Sequence, residues 1–125
     1  MIGLTERQAL SVHEMMTKAT GGSDGVRDIG LLQSAMECPF QAFDSKEVYP
    51  SILSKAAAMC RSIISNHPFV DGNKRTGIHI MLIFLEINGV LMDYTQKELI
   101  DLGFGIASGN LDVNAIFYWL SEHYK

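Results

Sequence analysis

Residues 73–89 read NKRTGIHIMLIFLEING. Within them, the segment 78–87 is apolar on almost every side of a helix, because a single histidine and a single glutamate interrupt it. A helix of this kind is stable only where other elements cover it. Gly89 suits the position that follows a helix end. The stretch therefore predicts a buried helix from Asn73 to about Asn88 in the middle of the domain.

Capping residues predict further helices on both sides of this central helix. Thr5 and Thr95 begin capping-box patterns, and Asp28 and Asp112 can cap two other helices. Pro50 fits the first turn of another helix, where its missing N–H would have no partner in any case. No convincing sheet is visible, so the predicted fold class is all-α, a bundle of about six helices. The predicted helices cover residues 6–18, 29–37, 50–66, 73–88, 96–107 and 113–123.

Two connections have the composition of loops. Residues 21–25 contain three glycines, which cannot hold a helix cheaply. Residues 39–49 begin with a proline that stops the preceding helix. This second segment is predicted to be irregular or partly extended. Its apolar residues stand among polar ones and are Phe40, Phe43, Val48 and Tyr49.

The bulk composition fits one globular domain spanning residues 1–125, with 47% hydrophobic and 19% charged residues. A formal net charge of −4 disfavours direct nucleic-acid binding. The first residues lack a signal-peptide pattern, and no apolar stretch approaches the length of a membrane span. We therefore expect a cytoplasmic protein. Cys38 and Cys60 form no CxxC pattern and are expected to be reduced, buried thiols.

The first turn of the central helix carries Lys74 and Arg75, which is an unusual place for two cations. A helix N-terminus already presents unpaired N–H groups and the positive end of the helix dipole, so Asp or Glu is the ordinary choice there. Anions bind at such a terminus with little further help. A phosphate held by these two cations, Asn73 and the helix end would remove the conflict, so the turn predicts a phosphate-binding site.

The residues just before this turn supply the other parts of a group-transfer site. Asp71 places a carboxylate beside the phosphates, as a Mg²⁺ ligand would be placed. His67 offers an imidazole, the side chain that most often takes a proton from a hydroxyl nucleophile. Gly72 lets the backbone approach a ligand closely, and Phe69 is expected to turn inward as an apolar anchor. The spacing alone does not show which phosphorus is attacked.

These residues also resemble a family signature. The pattern His67-x-Phe69-x-Asp71-Gly72-Asn73-x-Arg75 resembles that of the Fic family, His-x-Phe-x-Asp/Glu-Gly-Asn-x-Arg-x-x-Arg. Within the Fic/Doc superfamily the chain is similar in size to the small Doc (death on curing) toxins. Its glycine-rich segment 21–32 resembles theirs, as does segment 66–76, with lysine after the asparagine. The resemblance implies the all-α Fic/Doc fold, with residues 39–49 as a short flap that holds the target segment.

Two departures from the wider Fic pattern bear on the chemistry. Most Fic proteins that transfer AMP have glycine where this chain has Lys74, and a second arginine where it has Ile78. In Doc-type proteins the lysine accompanies a reversed nucleotide and transfer of the terminal phosphate. The resemblance thus implies a toxin that uses ATP and Mg²⁺ to phosphorylate a Ser or Thr hydroxyl of elongation factor Tu. In that role His67 is the general base, Asp71 holds magnesium, and residues 72–75 bind the phosphates.

The resemblance also implies a cognate antitoxin as a partner, because the family members that it resembles are toxins silenced by a separate antitoxin. The inhibitory Ser/Thr-x-x-x-Glu-Gly/Asn segment of some Fic proteins is not found in this chain, which fits that expectation. AMP transfer to a protein hydroxyl is an open alternative. A catalytically inactive module that binds an antitoxin is another, although intact His67, Asp71 and Lys74 argue against it.

Four other residues that could carry chemistry have simpler interpretations. His13 and Glu14 resemble the first half of a zinc motif, but Thr17 stands where the second histidine would be. His13 is therefore expected to make a buried hydrogen bond. His79 is expected to be a satisfied core residue, and His123 a surface residue. Arg27 is expected to form an ion pair with Asp28 within a loop, beside the capping role of Asp28.

Overall fold

The computed structural model describes all 125 residues and contains six α-helices and one small β-hairpin. The predicted all-α fold class with about six helices is confirmed. A single turn of 3-10 helix, Cys38–Phe40, follows the second helix. None of the helices combines the length and apolarity needed to cross a membrane. The elements are α1 (Glu6–Thr20), α2 (Ile29–Glu37), β1 (Ala42–Phe43), β2 (Lys46–Glu47), α3 (Ile52–Asn66), α4 (Asn73–Ile87), α5 (Gln96–Ala107) and α6 (Val113–Glu122).

The four predicted helix caps are formed. The side chains of Thr5, Asp28, Thr95 and Asp112 each accept a hydrogen bond from the backbone N–H three residues ahead. These bonds satisfy donors that the start of a helix leaves without partners. Local sequence therefore identified where four helices begin. The end of α1 was placed too early, since the helix continues to Thr20.

The start of α3 corrects one prediction. Pro50 was predicted in the first turn of this helix, but the helix begins at Ile52 and Pro50 lies outside it. The N-cap is Ser51, whose hydroxyl accepts from the backbone N–H of Ser54 at 3.0 Å. The Ser54 hydroxyl in turn accepts from the backbone N–H of Ser51 at 2.9 Å. This reciprocal capping box satisfies two donors and fixes the helix start after the proline.

Two helices, rather than one, form the centre of the bundle. α4 is buried along most of its length, as predicted, but α3 packs against α2, α4, α5 and α6. Small side chains favour this position, because Ala56, Ala57 and Ala58 are fully buried and the spacing of packed helices depends on side-chain size. Gly77 of α4 faces α3 so closely that a Cβ there would lie 2.8 Å from Cγ1 of Ile64.

Both cysteines are unpaired thiols, as predicted. Cys60 lies in the core on α3, and burial raises the pKa of its thiol, which keeps the group neutral. Cys38 is only half-buried, at the end of α2. Neither residue stands in the loop that joins α3 to α4.

The connection between α2 and α3 forms a hairpin on the protein surface. β1 and β2 pair in antiparallel register, and the turn residues Asp44 and Ser45 have left-handed φ values of 53° and 64°. Phe43 is 80% exposed. The base of the hairpin is anchored by Lys55 of α3, which is 1% exposed and donates to a carboxylate oxygen of Glu47 at 2.9 Å. The segment predicted as partly extended is thus a tethered, exposed strand pair.

The position of His123 also corrects a prediction, because this residue is not a free surface side chain. Its Nε2 lies 2.7 Å from a carboxylate oxygen of Glu98, and its Nδ1 lies 2.7 Å from the carbonyl oxygen of Trp119. Acceptors at both nitrogens favour the protonated ring, so the Trp119 carbonyl and then Glu98 raise the pKa of His123. The backbone N–H of Thr95, followed by His123, lowers the pKa of Glu98 to about 2.

The close contact at Gly77 predicts an unusual response to alanine. In an ordinary helix interior, Gly→Ala stabilises by about 1 kcal/mol. At Gly77 the added methyl would also lie 3.3 Å from the backbone oxygen of Cys60, so we expect Gly77→Ala to lower the free energy of unfolding by about 1–3 kcal/mol. Gly30→Ala in α2 is the matched control, because within 4 Å its methyl would meet no backbone atom and only one side-chain atom, Oδ1 of Asp28 at 3.3 Å. If urea unfolding gives Gly77→Ala and Gly30→Ala the same free energy of unfolding, the close packing of α3 and α4 would be contradicted.

The pair formed by His123 and Glu98 predicts a pH window of stability. The raised pKa of His123 stabilises the fold below its ordinary value of 6.5, and this contribution is lost as pH rises through the folded-state pKa. The lowered pKa of Glu98 stabilises the fold above its ordinary value of 4.5, and that contribution is lost as pH falls. Glu98→Gln keeps the capping oxygen but removes the charge. We expect it to lower the free energy of unfolding more at about pH 5.5 than at about pH 9. If urea titrations show the same loss of unfolding free energy at both pH values, His123 and Glu98 do not form a charged pair.

Candidate functional site

The loop that joins α3 to α4 is bracketed by two residues in the left-handed region. His67 ends α3 with φ 50°, and Gly72 precedes α4 with φ 77°. Gly72 adopts this conformation without a steric cost, whereas a histidine does so uncommonly. Backbone strain at a residue other than glycine is characteristic of functional sites. The imidazole of His67 is exposed and makes no hydrogen bond within the protein.

The interior of this loop is held by Asn73, the first residue of α4. Its side-chain oxygen accepts from the backbone N–H of Phe69 at 2.9 Å, and its side-chain nitrogen donates to the carbonyl oxygen of Phe69 at 3.0 Å. Phe69 is 1% exposed and lies in the core, as expected for an apolar anchor. The carboxamide of Asn73 is therefore committed to the loop, which leaves its backbone N–H for the predicted phosphate contact.

α1 supports the same loop through His13. The Nε2 of His13 donates to the carbonyl oxygen of Asp71 at 2.7 Å, so the predicted buried hydrogen bond is present. The imidazole also stacks on the Phe69 ring with centroids 3.9 Å apart and planes 5° from parallel. One buried side chain of α1 thus contacts two residues of the loop.

The glycine-rich segment after α1 pairs with the outer edge of the loop. The backbone N–H groups of Arg27 and Asp28 donate to the carbonyl oxygen of Pro68 at 2.7 and 3.0 Å. The N–H of Val70 donates to the carbonyl oxygen of Gly25 at 3.1 Å. Segments far apart in sequence therefore form a short antiparallel contact that fixes the position of the loop.

Arg27 has a role that the sequence interpretation missed. It does not form the predicted ion pair with Asp28. Its Nε donates to the carbonyl oxygen of His67 at 2.6 Å, and its Nη2 donates to that of Asn66 at 2.7 Å. These carbonyls belong to the end of α3, where a helix leaves acceptors without partners. No local pattern could have revealed this, because the bonded residues lie 40 and 39 positions apart.

The loop and the first turn of α4 together line an open cleft of about 390 Å³. Six of the seven predicted site residues lie along it, and the seventh, Phe69, is buried beneath it. No ion pair involves either cation of this turn, so no carboxylate neutralises this positive charge at the helix start. The residues lining the cleft are His67, Val70, Asp71, Gly72, Asn73, Lys74 and Arg75.

The carboxylate of Asp71 is exposed at the rim of this cleft. Its Oδ1 accepts from the backbone N–H of Gly72 at 2.8 Å, and its Oδ2 accepts from that of Ser23 at 3.3 Å. The glycine-rich segment comes close here, since a Cβ on Gly22 would lie 2.9 Å from Oδ2. Two hydrogen bonds orient the carboxylate and leave further lone pairs on both oxygens for a ligand.

Lys74 stands at the border between the cleft and a second cavity of about 440 Å³. Its Nζ lies 3.7 Å from the centroid of the Phe104 ring on α5, a cation–π contact. His79 also lines this second cavity and makes no hydrogen bond, so its prediction as a satisfied core residue was wrong. Phe104, which is 59% exposed, was not identified from sequence, because it lies on a separate helix and no local pattern connects it with Lys74.

Comparison with known proteins identifies relatives over most of the chain. A sequence model of the Fic/DOC family matches residues 3–85, a range that includes the whole loop and nearly all of α4. "Toxin Doc" of Mycolicibacterium smegmatis is 39% identical over 100 residues, which are 78% of this chain and 77% of that protein. "Protein kinase doc" of Escherichia phage P1 is 27% identical over 113 residues, which are 90% of this chain and 88% of that protein.

The bonds between Asn73 and Phe69 predict a large effect of a small truncation. Asn73→Ala leaves a buried N–H and a buried carbonyl of Phe69 without partners, at roughly 1–3 kcal/mol for each such group. We expect the free energy of unfolding to fall by at least about 2 kcal/mol. Asn66→Ala is the matched control, because the Asn66 side chain makes no hydrogen bond. Equal stability of the two variants in urea unfolding would show that the carboxamide does not hold the loop.

Proposed function

This chain belongs to the Fic/DOC family, and we propose that it acts as a Doc-type toxin that transfers the terminal phosphate of ATP to a Ser or Thr hydroxyl of elongation factor Tu. The observation that carries this proposal is one cleft that combines an unbonded imidazole, a carboxylate and two unpaired cations at a helix start. The names of the two relatives, a toxin and a protein kinase, support it. The target is the one that the resemblance to Doc proteins implies.

Phosphate binding is the task that best suits the first turn of α4. Its N–H groups point out of the helix end, where the dipole is positive. Lys74 and Arg75 add two cations that no carboxylate neutralises. The transition state of phosphoryl transfer spreads negative charge over the phosphate oxygens, and fixed donors and cations stabilise that charge. Gly72 leaves the approach to these donors free of a side chain.

His67 is the proposed general base. Its imidazole lines the same cleft and is free of internal hydrogen bonds, so it can accept a proton. As the acceptor oxygen bonds to the terminal phosphorus, the bond from that phosphorus to the leaving ADP breaks, and the hydroxyl proton goes to the ring of His67. Arg27 holds the carbonyl of His67 and so fixes the backbone from which this ring projects.

Asp71 fits magnesium by its chemistry and position. It is the one acidic residue among those that line the cleft, and its carboxylate oxygens have lone pairs left after their two backbone hydrogen bonds. Mg²⁺ commonly binds one or two carboxylates together with phosphate oxygens. A bound Mg²⁺ would neutralise charge on the transferred phosphate.

Transfer of AMP is the second candidate reaction, and Lys74, the lysine that this chain shares with Doc-type proteins, supports transfer of the terminal phosphate instead. The lysine stands between the cleft and the second cavity, where it fills space that a glycine would leave open. A nucleotide therefore meets a fixed charge at this border. An inactive module that only binds an antitoxin would need none of these side chains in one cleft.

A cognate antitoxin is part of the proposal, because the two relatives are Doc proteins and one is named a toxin. Elongation factor Tu as target places the reaction in the cytoplasm.

ATP labelled separately at the α and γ phosphates tests the reaction class. We expect elongation factor Tu to acquire label from the γ position and none from the α position. Label from the α position would instead establish AMP transfer. Absence of label from both, with a preparation shown to be folded, would favour the binding module.

The general base is tested by His67→Ala. We expect the rate of transfer to fall by roughly 10² or more, because a positioned base contributes about that factor. Nucleotide affinity should stay within about threefold, since the phosphates are held by the turn after the histidine. If His67→Ala transfers phosphate from the same labelled ATP as fast as the protein without the substitution, His67 is not the general base.

A further inference from the structure

We infer that His13 of α1 is a positioning residue for the cleft, holding the backbone of Asp71 through a hydrogen bond and the ring of Phe69 through stacking. The inference rests on the proposed function and extends it to a residue outside the signature segment. His13 is only 3% exposed, so its ring cannot act on a substrate directly. Its contacts nevertheless end on the backbone of the residue that is proposed to hold magnesium.

The hydrogen bond from His13 completes a set in which the residues from His67 to Asp71 are each held by a hydrogen bond from outside this segment. Arg27 holds the carbonyls of His67 and Pro68, Asn73 holds Phe69, and Gly25 holds the N–H of Val70. The carbonyl oxygen of Asp71 has a single partner within the protein, which is Nε2 of His13 at 2.7 Å. Removal of this donor would leave the carbonyl oxygen of Asp71 without a partner and loosen the loop around it, including the neighbouring bond from the Val70 N–H to Gly25.

The imidazole also packs against the start of α4. A Cβ placed on Gly72 would lie 3.9 Å from Nε2 of His13 and 3.9 Å from Oγ1 of Thr76. The ring is stacked on Phe69 at 3.9 Å with nearly parallel planes. His13 therefore sits where the loop, the anchor ring and the first turn of the helix meet. A shift of this ring would alter the direction in which the Asp71 carboxylate faces the cleft.

Two substitutions separate the hydrogen bond from the filling of space. His13→Phe keeps a flat ring that can stack on Phe69 but has no donor for the carbonyl of Asp71. His13→Gln keeps an N–H donor at similar reach but loses the ring. A residue that only filled the core would be replaced better by phenylalanine, whereas a positioning residue that works through its donor would be replaced better by glutamine.

The readouts are chosen to respond to the position of Asp71. The first is the Mg²⁺ concentration that gives half-maximal binding of a non-hydrolysable ATP analogue, measured by calorimetry. We expect it to rise about fivefold or more in His13→Phe, the factor that the loss of one hydrogen bond gives, and to change less than twofold in His13→Gln. The second is hydrogen exchange of the Val70 amide in the free protein, which should accelerate in His13→Phe and stay near the original rate in His13→Gln.

Unchanged Mg²⁺ dependence and unchanged Val70 exchange in a folded His13→Phe protein would overturn the inference. Equal losses in both variants would also overturn it, because the ring rather than the donor would then be decisive. If His13→Phe does not fold, a rise of about fivefold or more in the half-maximal Mg²⁺ concentration for His13→Gln, as large as the loss of the hydrogen bond itself would give, would count against the role of the donor. Failure of the γ-label experiment would leave the exchange measurement intact, so failure of this inference and failure of the proposed function can be told apart.

Discussion

The central constraint in this protein is the positive charge at the start of α4, which no carboxylate neutralises. Lys74 and Arg75 oppose the helix dipole, and no carboxylate forms an ion pair with either of them. A bound anion would offset the unfavourable interaction of these cations with the helix dipole. The ties from α1, from the glycine-rich segment and from Asn73 fix the preceding loop, so the turn faces an open cleft instead of the core. Stability supplied by these ties maintains a helix start that is suited to binding phosphate.

The parts of the fold that sequence predicted well are those set by neighbouring residues. Thr5 and Asp112 cap their helices because the acceptor and the N–H it satisfies are three positions apart. The centre of the bundle, which α3 and α4 share, depends on the packing of small residues of α3 against a glycine of α4. No local sequence pattern contains that information. The same applies to Lys55, whose partner Glu47 could be identified only once the hairpin was seen to fold back on α3.

The candidate site also contains some residues that sequence predicts and others that only the structure reveals. His67, Asp71 and the two cations are close in sequence, so their spacing predicted one cluster, and the structure places them along one cleft. The side chains that hold the cluster come from elsewhere, since the hydrogen bond from His13 to Asp71 joins residues 58 positions apart. Composition and spacing can therefore nominate the reactive groups of such a site. They cannot identify the residues that support these groups, because a hydrogen bond across the fold leaves no periodic signal.

The most direct test of this account is a crystal structure of the protein with Mg²⁺ and an ATP analogue that cannot transfer its terminal phosphate. We expect a phosphate group of the analogue to lie about 3 Å from backbone N–H groups of the first turn of α4, with the ammonium of Lys74 beside it. The imidazole of His67 should face the same phosphate across the cleft. A nucleotide bound elsewhere, with the start of α4 contacting only solvent, would contradict the claim that this turn is the phosphate-binding site.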